Sequence, residues 1–573
     1  MAVKPDDVDP APLVVAVTAH RNLVDGEIPQ IVGAIRKFFE ELSTKFPATP
    51  ITLLSPLAEG GGRLAAKVAI EMNLRLLIPL PLPVDLYKAD FQNAASVEEF
   101  ESLCQQGTVI EMPLFNGNTK EGIEVPGLQR NYQYAQAGIF LSSYSHILLA
   151  IWDGKPSAAL GGTAQVVDFH LTNMMPGLTG VEPAARRLFG RHEDDLVYHI
   201  VCARDQPDGS PARPLQSQET SWLTSDKEIS RTKSLPESAN RIFTRMDEFN
   251  TDAERHSSKI SNHDCDLIAP NLIERHSDRK INSLFKVADW LAIFYQKRVL
   301  AMFRSTYTLA FGMGLAFILY GEFPSQTFMI HVFLSLFGIG LVIYLIAQRG
   351  RWHRKYLDYR ALAEGLRVQL YWRLAGIREG TGIQFTHENF LQEQDIELGW
   401  IRNVMRAGSI PFEFSPPPAN GLDEVIRHWF EDAPTGQLNY YRGKAFERER
   451  RSLITRGIGI ACLCLGLAVA VFLAFYNEQL PSDVRNPLIV LMGVLPLVAA
   501  VQEAYAHKKA ERELIKQYRF MERVFANAKS QLDSAASDHD KRAILKALGG
   551  VALDEHAEWI LMHRERPLEY GKL

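Results

Sequence analysis

Four apolar runs in the second half of the chain set the strongest limit on what it can fold into. They lie at about 299–321, 327–347, 453–476 and 487–505. Each is close to the roughly 20 residues a helix needs to cross the hydrocarbon core of a bilayer. The first centres on the stretch 306–320, and the second is broken only by His331 and Ser335. The third carries Arg456 near its start, while the fourth holds Pro496 and ends at Gln502 and Glu503. Within lipid every backbone polar group must be satisfied internally, so runs of this length are read as helices. Short loops at 321–326 and 477–486 pair them into two hairpins.

Charge at the run ends gives an orientation. Lys286, Lys297, Arg298 and Arg304 precede the first run or fall at its start, and Arg349, Arg351, Arg354 and Lys355 follow the second. Arg448, Arg450 and Arg451 precede the third, and Lys508, Lys509 and Arg512 follow the fourth. The two hairpin loops hold a single basic residue, Arg485. Basic residues are retained on the cytoplasmic side, so the loops are expected outside and both termini in the cytoplasm, in a plasma (bacterial inner) membrane. No run has an ionisable residue near its centre, which argues against a proton relay or an ion-coupled transporter. Gly312 with Ala316, and Gly457 with Ala461, are spaced for close helix packing.

The hairpins read as a tandem repeat. Trp352, Tyr356, Tyr359, Ala363, Leu366, Leu370, Leu374 and Ile377 keep a near 4-3 spacing after the second run. Leu514, Tyr518, Met521, Phe525 and Ala528 do so after the fourth. Each set predicts an amphipathic helix with one apolar seam. The dipeptides Tyr359-Arg360 and Tyr518-Arg519 stand at nearly equal distances beyond their membrane runs. Helical stretches are also expected at 392–405, 422–431 and 437–451.

At 573 residues the chain needs more than one core. A net charge of -5 and a pI near 6.4 argue against a nucleic-acid partner. The five cysteines form no CxxC pair and no Cys/His metal spacing, as expected of a reduced, cytosol-facing protein. The amino-terminal sequence has no apolar h-region, so no cleavable signal peptide is expected.

Residues 12–204 alternate two signals. Stretches 13–17, 51–54, 74–78, 147–151 and 197–202 are strand-like, and 31–43 and 62–72 have helical spacing. That order predicts an α/β class, Rossmann-like domain: a parallel sheet with helices on both faces, followed by an all-α membrane domain of four transmembrane helices. The expected division is a nucleotide-binding-type domain at 1–204, a polar linker at 205–280, and a first hairpin with its helix at 281–377. A cytoplasmic helical segment at 378–450 and a second hairpin with its helix at 451–573 complete it.

Ligands of such sheets sit at the carboxyl ends of the strands. Three loops there carry the candidate site. Thr18, His20 and Arg21 follow the first strand. Ser55, Glu59, Gly60 and Gly61 follow the second, where consecutive glycines at a helix start let backbone N–H groups approach a phosphate. Asp153 lies in the Trp152-Asp153-Gly154 loop after the 147–151 stretch, and Gly161, Gly162, Thr163 and Gln165 open the next helix, offering amides and a hydroxyl to an anion. His20 and Arg21 are the leading ligand contacts, the arginine through bidentate pairing. Arg63 is placed to bridge Glu59 at i, i+4.

The sequence Thr-Ala-His-Arg, then Ser-Pro-Leu-Ala-Glu-Gly, then Ile-Trp-Asp-Gly with Gly-Gly-Thr, resembles the SLOG superfamily. That group includes the cytokinin-activating LOG enzymes, DprA-like proteins and the amino-terminal domains of TRPM channels. The resemblance implies a Rossmann-like fold and a nucleotide-derived ligand. The membrane half, with a hairpin followed by Tyr-Arg-Ala-Leu-Ala-Glu, looks like SLATT-type bacterial membrane effectors, which implies a role beside nucleotide sensors in conflict and antiphage defence. The chain departs from the SLOG pattern at Ala19 and Gly62, and Ala164, Gln165 and Val166 stand where LOG enzymes carry a glutamate. Without that carboxylate the resemblance favours binding over N-glycosidic cleavage.

The expectation is therefore a membrane-bound sensor and effector, with a nucleotide-derived small molecule, the lipid bilayer and further copies of the chain as partners, and with no separate cofactor or metal. The alternatives are a membrane-tethered nucleotide-processing enzyme and a membrane scaffold with a degenerate site.

Overall fold

The computed structural model describes residues 9–157, 159–172, 175, 178, 196–225, 229–263, 267–268, 272–323, 325–377, 390–391, 396–431 and 436–564. They divide into two compact units, one holding 1–288 and 361–421, the other 289–360 and 422–573. The divisions at 288 and 360 fall inside the helices His276–Glu322 and Trp352–Leu374.

The first unit is α/β. Its eight-stranded sheet runs in the order β4-β3-β2-β1-β5-β6-β7-β8. These strands are β1 (Leu13–Ala19), β2 (Ile51–Leu54), β3 (Arg75–Leu80), β4 (Thr108–Glu111), β5 (Ile147–Trp152), β6 (Leu196–Val201), β7 (Thr220–Ser225) and β8 (Ile229–Thr232). Strands β4 to β6 along that order are all parallel, and β7 and β8 add antiparallel pairs. β1, β2 and β5 are apolar along most of their length because parallel strands are covered on both faces. Order reverses between β1 and β5, so the connections leave in opposite directions there and open a crevice. Ala19 pairs with Ile151 at that point.

Helices α1 (Ile28–Lys45) and α2 (Gly61–Glu71) pack on each other, as do α3 (Leu128–Tyr144) and α4 (Thr163–Thr172). The stretch expected as a polar linker supplies β7, β8 and the helix α5 (Glu237–Arg255). Trp222 of β7 lies edge-on to Tyr198 of β6, which stacks on Phe38 of α1. Its polar sequence conceals this because edge strands and amphipathic helices bury only part of their surface. Asn250 of α5 accepts from Ala11 N (3.0 Å) and donates to Ala11 O (2.9 Å), closing the chain onto the start of β1.

Within the segment expected between the two hairpin copies, a helix at Gly399–Gly408 is buried along its whole length inside the first unit. His146 accepts from Val14 N (3.1 Å) and bonds Asn403 O (3.0 Å) through its other ring nitrogen, and Arg406 donates to Ser145 O (3.0 Å). A buried helix with charged residues holds only when those groups are paired in this way.

The second unit is helical. Among the described residues four helices are long and apolar enough to cross a membrane: the entering helix α6 (His276–Glu322), α7 (Phe328–Arg349), α9 (Gln437–Tyr476) and α10 (Ser482–Lys508). Phe337, Leu341, Leu345, Leu463, Leu467 and Phe475 are exposed on them. Apolar surface of that extent is unfavourable against water and natural against lipid tails, which marks a multi-pass membrane protein. Gly314 faces Leu497, and Gly493 faces Ile318, so α6 and α10 approach closely where side chains are smallest. Of the two expected small-residue pairs, Gly312 meets Leu336 and Ala316 is buried, whereas Gly457 has no neighbour within 4 Å among the described residues.

The repeat is visible atom by atom. Helix α8 (Trp352–Leu374) follows the first hairpin and α11 (Glu511–Ser534) the second. Arg351 and Ala510, at the two turns, both adopt left-handed backbone, with φ of 48° and 50°. Tyr359 and Tyr518 stand at the same distance beyond them. The Tyr359 ring lies 5.8 Å from Tyr295, and Tyr518 5.8 Å from Tyr441. Arg360 then pairs with Asp289 (3.4 Å) and Arg519 with Glu449 (2.6 Å). In each copy the Tyr-Arg dipeptide ties the later helix to the long helix that opens its hairpin.

Candidate functional site

A half-open cleft of about 750 Å³ lies at the carboxyl ends of β1 and β5. Brought together in its wall are Thr18, His20, Arg21, Asp153, Gly161, Gly162 and Thr163 of the expected residues. Its volume suits a ligand of nucleotide size.

His20 and Asp153 are set by adjacent strands. His20 N donates to Ile151 O (3.0 Å), holding the loop after β1 against β5. His20 Nε2 then lies 3.1 Å from Asp153 Oδ1, at ion-pair distance but out of line for a good hydrogen bond. Asp153 Oδ1 also accepts from Lys155 N (3.0 Å). Burial lowers the proton affinity of His20, and the Arg204 charge lowers it further, against the opposing pull of Asp153. Burial is the largest of these effects, so the imidazole is held below its ordinary pKa of 6.5.

The loop after β2 serves the site from behind. Gly60 has φ of +81°, and a Cβ there would sit 2.3 Å from Arg21 O and 2.5 Å from His20 O. Gly61 N donates to His20 O (3.2 Å). These glycines thus allow the backbone to approach the His20-Arg21 loop, and Gly61's amide is consumed in doing so. Ser55 Oγ donates to Gly62 O (3.0 Å) and accepts from Leu57 N (3.2 Å). Glu59 accepts from Gln92 N (3.0 Å) and from the Ser96 hydroxyl. Ser55, Glu59, Gly60 and Gly61 do not line the cleft, although Ala58 and Gly62 do. Arg63 does not bridge Glu59; it pairs with Glu99 (2.7 Å) and donates to Leu57 O (3.1 Å).

At the start of α4, Gly161 has φ of +76° and donates to Gln165 Oε1 (2.6 Å), and Gly162 N donates to Ala159 O (3.0 Å). Gln165 therefore shapes the turn and is not a cleft residue. Thr163 and Ala164, in the first turn of α4, line the cleft; first-turn amides have no partner within their own helix.

The structure adds residues that sequence reasoning missed: Tyr87, Asp90, Arg130, Tyr134, Lys155 and Arg204. Arg130 pairs with Asp90 (2.8 Å), and Lys155 lies 3.4 Å from Asp208. Burial holds the Tyr134 phenol above its ordinary range, so it stays protonated and donates to Asp90. The Arg21 guanidinium lies 5.6 Å from the Tyr134 ring centre. Tyr134 and Arg130 sit on α3, which is buried on every side from Ala135 onward and carries no clear amphipathic signal.

Compared with models of known protein families, the sequence matches none, and it matches no curated protein.

Proposed function

We propose that this protein is a membrane-bound receptor and effector: its α/β unit binds a nucleotide-derived ligand, and binding controls what its helical hairpins do to the bilayer. One observation carries the reading. A nucleotide-sized cleft with His20, Arg21, Arg204 and a helix start in its wall lies at the strand-order reversal of a parallel sheet, in a chain with four membrane-length helices. The reversal is where ligands of such sheets bind, and guanidinium groups beside a helix start suit phosphate. The resemblance to SLOG domains and SLATT effectors supports the same reading and extends it to bacterial conflict or antiphage defence. In this reading the hairpin loops lie outside and both termini in the cytoplasm of a plasma (inner) membrane, an orientation that the basic flanks support. Further copies of the chain join the membrane assembly. A ligand shifts that assembly only by binding one state more tightly than the other.

The test is thermal unfolding of the full chain in detergent with a panel of purine and pyrimidine nucleotides. At least one member should raise the unfolding temperature in wild type and not in Arg21→Gln. A panel with no member that stabilises the protein would sink the reading in favour of a scaffold.

A second reading, a membrane-tethered nucleotide hydrolase, is favoured by the His20–Asp153 pair, because a carboxylate beside a neutral imidazole is suited to general-base chemistry. Turnover of a bound nucleotide that disappears in Asp153→Asn would favour it. Glu59 is committed to Gln92 and Ser96 and is not the residue to test.

A further inference from the structure

Arg456 is the only charged residue of the third apolar run. It lies inside that run, beyond the exposed Leu453 and Ile454, and is itself exposed. An exposed charge there meets lipid, where an ion without a partner is costly and a long side chain reaches for the headgroup layer. The acids nearest to it in α9 are committed elsewhere. Glu447 pairs with Lys444 (3.1 Å) and Arg451 (2.6 Å), and Glu449 with Arg519 (2.6 Å). Among the described residues no carboxylate pairs with Arg456. On its face of the helix, in i, i+4, i+7 and i+11 steps, follow Ile460, Leu463 and Leu467, each more than half exposed. At 1.5 Å per residue this stripe is about 16 Å long, close to half the roughly 30 Å hydrocarbon core. Ser452, one turn before Arg456 on the same face, adds a hydroxyl at the headgroup end. The contact with α10 is made elsewhere on α9, where Gly466 meets Pro496. Arg304 in the first run is also exposed, but Phe311 and Leu315, at the matching steps along α6, are half-buried.

We infer that this face of α9 binds an anionic phospholipid, with Arg456 paired to the phosphate and an acyl chain lying along Ile460, Leu463 and Leu467. The guanidinium fork matches two phosphate oxygens at once. The stripe below it offers apolar surface over the length that one leaflet's chains occupy. Charge decides between headgroups. Arg450 and Arg451 lie within two turns of Arg456, and the nearby carboxylates are already paired. A zwitterionic headgroup brings its own cation into this basic surround, whereas an anionic one does not, so the surface favours the anionic lipid. The inference needs only the membrane character of α9 and is independent of the nucleotide reading.

The experiment follows thermal unfolding of the full chain in a neutral detergent titrated with dioleoyl phosphatidylglycerol, dioleoyl phosphatidylcholine or inorganic phosphate. Wild type should reach half of its stabilisation at about fivefold or more lower mole fraction of the glycerol lipid than of the choline lipid, as one cation at the headgroup gives. Arg456→Gln should bring that ratio toward one, and Arg456→Lys should keep it. Arg450→Gln is the control, since Arg450 is exposed and basic but lies about a third of a turn away around the helix. It should leave the ratio unchanged. Equal response of wild type to the two lipids would overturn the inference. An equal loss in Arg450→Gln and Arg456→Gln would also overturn it, in favour of diffuse attraction to the basic flank. Stabilisation by inorganic phosphate matching that by the glycerol lipid would overturn the lipid assignment in favour of a free-anion site. Should Arg456→Gln fail to fold, Arg456→Met, whose side chain suits an apolar run, takes its place with the same expected loss.

Discussion

His20 Nε2 and Asp153 Oδ1 stand 3.1 Å apart, one just beyond β1 and the other just beyond β5. The two strands are neighbours in the sheet although the residues are far apart in sequence. Burial keeps this imidazole largely uncharged at neutral pH, and Asp153 is the group that favours its protonation. An anionic ligand adds a second such influence, so binding should tighten as pH falls from 7.5 toward 6. Asp153→Asn removes the partner that raises the proton affinity of His20, so the tightening should move to lower pH. The ligand's own titration is common to both proteins and cancels in the comparison. Identical pH profiles for the two would contradict a coupled pair.

Gly60→Ala should destabilise the α/β unit by about 1–3 kcal/mol, the usual cost of forcing a side chain into a sparsely populated backbone region. The added Cβ also meets the backbone of His20 and Arg21, so ligand affinity should fall as well. Gly26 is the control: a Cβ there meets nothing within 4 Å. Chemical denaturation of both alanine variants checks this, and equal stability would contradict the close approach.

Two other histidines set an acid limit on stability. His170 is buried and its pKa is lowered to about 3, by burial first and then by the Arg406 charge; His199 is lowered to about 4, again mainly by burial. Both folded values lie below the ordinary 6.5, so below that pH the unfolded chain binds more protons. Their contribution is complete above about pH 6.5. It is lost as pH falls toward 4, by about 1.4 kcal/mol per pH unit for each group. Denaturation midpoints of the α/β unit measured between pH 7 and 4.5 should show this slope, and His170→Gln should make it shallower. A slope the same in wild type and variant would exclude His170 as a source.

Ala510 occupies left-handed backbone at the turn between α10 and α11. A residue with a Cβ pays about 1–2 kcal/mol there, and glycine does not. Ala510→Gly should raise the unfolding temperature of the full chain in detergent. Ala504→Gly, inside α10, should lower it, since glycine in a helix interior costs about 1 kcal/mol relative to alanine. An Ala510→Gly variant no more stable than wild type would contradict the turn geometry.

What the sequence made legible follows from burial. β1, β2 and β5 read as strands because both their faces are covered, and the four membrane helices read as spans because lipid demands uniform apolarity. The seam Leu514, Met521, Phe525 and Ala528 was legible because α11 has one buried face. Tyr134 and Arg130 were not, since α3 is enclosed almost all round and its polar residues find partners that no spacing predicts. The glycine loops were recognisable as belonging to the site, but their chemistry was not. Gly61 and Gly161 look like phosphate cradles in sequence, yet their amides are bound to His20 O and Gln165 Oε1. Arg204 was hidden for another reason: it follows β6, which reaches the cleft only through the order of the sheet.

The central claim is that a ligand in the β1–β5 cleft controls the helical hairpins. It is tested most directly by leakage of an entrapped dye from liposomes carrying the full chain. The nucleotide that most stabilises the protein is added on the side exposing the α/β unit. The account predicts a leak rate that changes by about tenfold with wild type and stays constant with Arg21→Gln, at lipid and protein densities matched between the two. A nucleotide that binds wild type yet leaves its leak rate equal to that of Arg21→Gln would contradict it.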